Sequence, residues 1–405
     1  MTSTTPQSDR LVIDPKWRKL PLALLVIGGA VGLIGLFVNS KQFAYSYLLA
    51  FMFFLSICLG GLFLTLIHHL FDAIWTVPLR RVTEHIAFLL PVMGILFIPI
   101  AIMAKPLIYA WMQHDPHADH ALHAKQPIFQ LGWFIGIAVA LFLIWTWLTY
   151  NLRKWSIRQD VTGAAECTFA MRKYSAAGIY IFALTLTVAA IFWVKSLEHQ
   201  WFSTMYGVYY FAASVWTFLA TLYLIAVLLK RTGPLSGVLH KRQFHDIGVL
   251  WFAFTVFYAY IAFSQYFLIW NAAIPEETFW YVQREKGSWW DIGMLLIFGH
   301  FAFPFLAMLR IDAKLSLPLM IPLCLWGWAM HFCDMSFNIM PVIHPDGFVL
   351  HWLDLACLAF FAGVLSLVFI KYFKSHHPYP VKDPRLGEAL GVHHVGAMPP
   401  AVARE

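Results

Sequence analysis

Ten apolar stretches alternate with polar connections along this 405-residue chain. A hydrocarbon core of about 30 Å takes roughly 20 helical residues at about 1.5 Å rise each. Stretches 20–38, 44–67, 86–104, 128–150, 176–195, 206–229, 247–270, 292–309, 317–336 and 352–370 each approach that length. Inside hydrocarbon every backbone N–H and C=O must be satisfied within the protein, so segments of this length predict helices. The expected fold is all-α and polytopic: an arm over 1–19, one transmembrane domain over 20–372 and a tail over 373–405.

Composition excludes the soluble alternative. With 60% hydrophobic, 17% aromatic and only 12% charged residues, a water-soluble globule of this size has too little polar surface. The net charge of +7 does not point to nucleic acid, because the charges follow the apolar segments and form no basic patch interleaved with aromatics. Of the 28 Lys and Arg, 22 fall in the arm, the tail and alternate connections, which predicts cytoplasmic termini in a bacterial inner membrane. Residues 1–16 lack a signal-peptide cleavage pattern, so the first helix is expected to remain.

The longest connections, 105–127, 151–175 and 271–291, are too short for a soluble module, so any electron carrier belongs to a partner. Cys58, Cys167, Cys324, Cys333 and Cys357 are scattered without a C-x-x-C pair and read as buried small hydrophobes. No metal site and no bound cofactor are expected on this chain. A weak echo links RRVTEHI at 80–86 to KRQFHDI at 241–247. It suggests two parallel four-helix bundles, helices two to five and six to nine, with two peripheral helices. Ser56, Gly60, Gly61 and Thr65 would let the second helix pack closely. The tail from His376 onward, rich in Pro, Gly and His, reads as an exposed arm.

Ionisable residues at membrane depth are costly and mark candidate function. On the expected cytoplasmic side stand His68, His69, Asp72, Glu84, His85, His245 and Asp246, a possible inward proton funnel set against the plainer reading of interface residues. On the outer side, His331 with Asp334 and His351 with Asp354 repeat H-x-x-D, which places each pair on one helix face. A histidine beside a carboxylate suits proton transfer. His300, deep in the eighth segment with Asp291 at its outer mouth, is the candidate link. These four outer residues also have the donor types of an iron, manganese or zinc site, the lesser reading. Haem is disfavoured because His300 is the one deep histidine. His114, His117, His120 and His123 recur every third residue in an outer loop read as partner-contacting or as adventitiously metal-binding. The aromatic outer loop 274–290 also suits docking.

Four stretches carry a resemblance: SKQFAYSYLLAFMFFLSICLGGLF at 40–63, HHLFDAIWTVPLRRVTEHI at 68–86, SLEHQWFSTMYGVYYFA at 196–212 and FSQYFLIWNAAIPEET at 263–278. Over 20–372 the chain resembles the second of the two polysulfide-reductase-type (NrfD-like) membrane subunits of alternative complex III. The resemblance implies a bacterial quinol-oxidising respiratory complex. Its partners would be a sister NrfD-like subunit, an iron–sulfur subunit and c-type haem cytochromes, delivering electrons to a cytochrome or a terminal oxidase. This chain would then hold no redox centre and no catalytic residue of its own; quinol oxidation sits on the sister subunit, and this one contributes structure and a proton route. Quinone at Gln265 or Tyr266 is the minority reading. The chain departs from the family at Phe192, Trp193 and Lys195, where an acidic residue before the tryptophan is common, at Asp72, and in the His-rich loop. A stand-alone transporter, with Pro91, Pro99 or Pro304 breaking a helix, is the remaining alternative.

Overall fold

The computed structural model describes residues 15–117 and 119–391. Within them the chain is all-helical, with no strand. The long helices are α1 (Lys19–Val38) and α2 (Ser40–Phe71), then the interrupted α3 (Ile74–Ile108). A short α4 (His120–Lys125) leads to α5 (Leu131–Thr162), α6 (Ala165–Trp193), α7 (Tyr206–Arg231) and α8 (Lys241–Ala272). A short α9 (Pro275–Arg284) precedes α10 (Ser288–Met308), α11 (Leu317–Ile339) and α12 (Trp352–Lys374).

Among the described residues nine of these helices are long and apolar enough to cross a bilayer. The remaining expected span, 317–336, is present as the 23-residue α11, whose apolarity is diluted by His331, Asp334, Ser336 and Asn338. Most helices outrun their apolar stretches because polar turns, such as residues 241–246 of α8, continue the helix past the hydrocarbon. Successive crossings place the connections at 72–73, 163–164, 232–240 and 309–316 on one side, called the basic face here, and the others on the opposite face.

Sequence decides where helices start and stop. Asn39 caps α2 by accepting from Gln42 N at 3.1 Å, and Asp72 ends it in the left-handed region at φ 49°. In α3, Pro91 and Pro99 each begin a new helical piece, because a proline ring has no N–H and cannot continue the preceding turn. In α10 the segment Leu296–Ala302 widens to a π-helix immediately before Pro304. Such widening recurs at functional sites.

α2 and α7 form the centre: 83% of each apolar stretch is buried, against 17% for α1. α2 packs on α3, α6, α7, α11 and α12; α7 packs also on α6, α8 and α11, while α1 lies almost wholly against α12. Gly60 makes the central contact possible, since a Cβ there would fall 2.3 Å from Phe218 Cβ. Small residues play the same part outside: a Cβ on Gly28 would lie 2.5 Å from Phe360 N and 2.7 Å from Ala356 O. Gly28→Val is therefore expected to force α1 off α12 and to cost about 1–3 kcal/mol of stability. Gly29→Ala, whose new methyl meets nothing closer than 3.5 Å, should be neutral or mildly stabilising. Thermal unfolding of the detergent-solubilised variants distinguishes them, and equal melting temperatures would refute the close-packing argument.

The tail departs from its sequence reading. The exposed arm expected from His376 onward instead folds back as far as Gly391, with Asp383 buried against α3. Residues beyond 391 lie outside the described part.

Candidate functional site

Two buried polar systems lie at different depths along α2. At the basic face, Arg80 and Arg81 of α3 are wholly buried. Arg80 Nε is 3.2 Å from Glu84 Oε1, its Nη2 donates to Gln159 Oε1 at 2.9 Å, and its Nη1 contacts Asp383. Arg81 Nη1 donates to Glu84 Oε2 at 2.9 Å and its Nη2 reaches Asp160. Ser156 closes the network by donating to Glu84 Oε2 at 2.9 Å. Buried charges persist only when paired in this way. Next to it, Arg153 donates to His85 Nδ1 at 3.0 Å; a guanidinium only donates, so His85 carries its proton on Nε2. His68 Nδ1 bonds Thr76, and the His68 and His69 rings stand edge to face at 4.8 Å.

The second system joins α2, α7, α8, α10 and α11. Asp334 is fully buried and its Oδ1 accepts from Tyr258 at 2.9 Å, from Asn338 at 3.3 Å and from Tyr209. The Tyr209 and Tyr258 hydroxyls are 3.0 Å apart, and Tyr206 donates to Asn338 Oδ1 at 3.0 Å. His331 Nε2 lies 2.8 Å from Ser56 Oγ, while its Nδ1 is 4.0 Å from Asp334 Oδ2. His300, in the π-helical segment, is sandwiched between Trp216 and Tyr258 with ring centroids at 3.8 and 3.9 Å. Neither His300 nitrogen has a hydrogen-bond partner among the described residues, nor has His331 Nδ1 or Asp334 Oδ2.

Ser56 and His68 stand twelve residues apart on α2, about 18 Å along its axis at 1.5 Å per residue. Between them Leu59, Leu62, Leu64 and Leu66 are buried and apolar, and Thr65 turns back to Gly61 O at 2.8 Å. Along α2 the two systems are thus separated by an apolar layer.

Towards the opposite face, Arg284 donates to Phe337 O at 2.8 Å and Asn338 O at 3.2 Å, lies over the Trp280 ring at 3.5 Å, and meets Glu198 at 3.3 Å. Burial raises the Glu198 carboxyl above its usual value, with Arg284 opposing the rise. Beside it, Lys195, Ser203, Gln265 and Glu277 line a cavity of about 590 Å³, a size suited to a small ligand. Ser203 donates to Gln265 Oε1 at 2.9 Å, and Gln265 Nε2 donates to Tyr281 at 3.1 Å.

Burial lowers the Lys195 ammonium to about 7, with Lys125 adding repulsion. The unfolded chain keeps this proton to about 10.4. Between these values the unfolded state binds more protons, so stability rises with pH from about 7 upward. Lys195→Met is expected to flatten that rise, read as the difference between wild-type and variant melting temperatures from pH 6 to 9. A parallel pair of curves would show that Lys195 keeps an ordinary ammonium.

The candidates named from sequence separate into groups. His68, His69, Glu84 and His85 are buried, so their side chains do not reach solvent as the interface reading expects. Asp72 is half-exposed and paired with Arg172 and with Arg385 at 2.9 Å, which makes it a surface ion pair. His245 and Asp246 stand at the rim, 3.4 Å apart, outside the buried network. His300, His331 and Asp334 converge on one centre. Asp291 is exposed and makes no hydrogen bond to that centre. His351 and Asp354 close a helix cap: Asp354 Oδ2 accepts from His351 N at 2.9 Å, His351 Nδ1 accepts from Leu353 N at 3.2 Å, and Ser46 donates to Asp354 Oδ1 at 2.5 Å. The two H-x-x-D pairs therefore do different jobs, and no four-ligand cluster of them forms among the described residues. Gln265 faces the cavity, whereas Tyr266 stacks on Trp270 at 5.7 Å and is not part of the lining.

Sequence reasoning passed over Arg80, Arg81, Tyr206, Tyr209, Tyr258, Asn338, Glu198 and Arg284. Tyr206, Tyr209 and Glu198 lie inside the stretch 196–212 singled out for its resemblance, so a signal was present. The hydroxyl of a tyrosine at membrane depth gives no hydropathy cue to its partners. The chain matches no protein-family model and no curated protein.

Proposed function

We propose that this chain is the second NrfD-like membrane subunit of a bacterial quinol-oxidising complex of the alternative complex III type. It braces quinol oxidation by partner subunits and carries protons through two half-channels. In this reading α2, α3, α5 and α6 form one four-helix unit and α7, α8, α10 and α11 the other, with α1 and α12 peripheral and both termini cytoplasmic. The supporting observation is the buried centre of His331, Asp334, Tyr209 and Tyr258. A titratable pair with tyrosine hydroxyls around it at this depth is costly, and proton transfer is the function that repays it. His300 lies against Tyr258 in this centre and is the group whose unpartnered nitrogens would pass protons on from it towards the basic face.

Gentle solubilisation from the native membrane tests the assembly: an iron–sulfur protein and c-type haem absorbance are expected to co-purify with this chain. A lone protein would overturn the assignment in favour of a transporter. His300→Phe keeps an aromatic ring between Trp216 and Tyr258, so assembly should be retained while quinol-driven acidification in vesicles falls severalfold. Full acidification would remove His300 from the route.

A second reading is favoured by the cavity at Gln265, whose amide can donate to a quinone carbonyl. It places a quinone site on this chain. Quinone bound against Gln265, and lost in Gln265→Leu, would support it over the scaffold role.

A further inference from the structure

The chain folds a histidine and an aspartate of the 112–125 loop onto a histidine some 80 positions away. We propose that His114, Asp119 and His199 form a binding site for a divalent first-row transition ion, zinc being the first candidate, on the face opposite the basic one. One donor atom from each residue lies within 4.8 Å of the others. Ligand atoms around a tetrahedral ion at about 2.0–2.1 Å stand roughly 3.3 Å apart, so the ion would replace the proton shared by His199 Nε2 and Asp119 Oδ2, released to solvent, as that 2.7 Å pair opens slightly and the exposed His114 side chain closes. Two imidazoles and a carboxylate without thiolate match zinc, copper(II) or nickel, and three protein ligands leave a position for water.

The donors are already oriented. Asp119 Oδ1 caps α4, accepting from Ala121 N at 2.9 Å and Leu122 N at 3.1 Å, so Oδ2 is left to face His199 Nε2 at 2.7 Å. Gln200 Nε2 also donates to Oδ2, at 3.3 Å. His199 is buried, its carbonyl is held by Lys125 Nζ, and the His114 ring stands across it at 5.8 Å. These contacts to the second carboxylate oxygen and to the ligand backbone are the kind that orient metal ligands. The Lys125 ammonium, the nearest cation, is engaged by that carbonyl and by the Phe129 and Phe202 rings at 6.0 and 5.4 Å. A bound ion would tie the 114–119 loop to the turn after α6, a few residues from the Lys195 cavity. His199 lies some 80 positions from the histidine loop, so spacing along the chain does not reveal this set.

The test is titration of the detergent-solubilised full chain with zinc alone by calorimetry, and with cobalt(II) by visible absorption. One equivalent is expected to bind with micromolar or tighter affinity, weakened at least tenfold by His114→Gln and by Asp119→Asn. His114 is exposed and Asp119→Asn retains the helix cap, so neither change threatens the fold. The combined His117→Ala, His120→Ala, His123→Ala variant is expected to keep the site within threefold. Loss in that variant would assign binding to the histidine tract as a whole. That result, retention in either single variant, or absence of binding at 100 µM zinc would overturn the proposal.

Discussion

Arg80→Met is expected to destabilise the protein by about 3–5 kcal/mol, the range for removing one partner from a buried ion pair. The magnitude follows from what is left behind. Arg80 touches Glu84, Gln159, Ser156 and Asp383 with no access to water, so its loss leaves Asp383 to Arg385 alone and Glu84 to Arg81 alone, two carboxylates sharing fewer cations in a dry site. Burial works to raise that carboxyl, but Arg80 and Arg385 outweigh it and hold it below the ordinary value. Its contribution is thus present above the unfolded value of about 3.9 and is lost as the pH falls below it. Denaturant unfolding followed by tryptophan fluorescence measures the loss. The Arg80→Met, Asp383→Leu double variant should recover part of it, because a buried carboxylate is removed together with its cation while Arg385 keeps Asp72 at 2.9 Å. A loss below 1 kcal/mol would mean that water reaches the network.

Asp334→Asn and Asp334→Leu should divide structure from function at the second centre. Asparagine keeps an oxygen that accepts from Tyr209 and Tyr258, so its stability should stay near wild type. Leucine removes the shared acceptor of the two hydroxyls, which can then satisfy only one donor between themselves at 3.0 Å, while Asn338 keeps the backbone carbonyl of residue 334; the unpaired hydroxyl costs about 1–3 kcal/mol. Both variants remove the titratable carboxyl. Quinol-driven acidification by the assembled complex is therefore expected to drop at least tenfold in both, while only the leucine variant melts early. Normal acidification with asparagine would show that Asp334 serves packing alone, and the proton route would have to pass elsewhere.

The contrast between Asp334 and Asp354 shows how far pattern reading carries. Both follow a histidine by three positions, and spacing alone makes them equivalent. The structure puts one pair in the interior of α11 and the other at the first turn of α12, where backbone N–H groups need acceptors. Pattern identifies a shared face, whereas position relative to a helix end decides whether the face caps or conducts. RRVTEHI and KRQFHDI likewise share a pattern and differ in surroundings: Arg80 and Arg81 are buried while Lys241 and Arg242 are exposed.

His68, His69 and Glu84 were equally open to a solvated reading, because each lies within a turn or two of a helix end. Part of their surroundings comes from a tail more than 300 residues later in the chain, where Asp383 pairs with Arg80 and Arg385 with Asp72 at the ends of α3 and α2. No local property of residues 68–86 records that the tail returns.

From the amino acids alone came the helical class, the ten apolar stretches and the uneven distribution of positive charge, because transfer into hydrocarbon is a sum over neighbours along the chain and needs no partner. Tertiary structure alone decided that His331 meets Ser56, that Asp383 meets Arg80, and that His199 meets Asp119. Those pairings depend on how each helix is rotated and set against helices distant in sequence. Close packing at residues such as Gly60 selects that rotation, and hydropathy is blind to it.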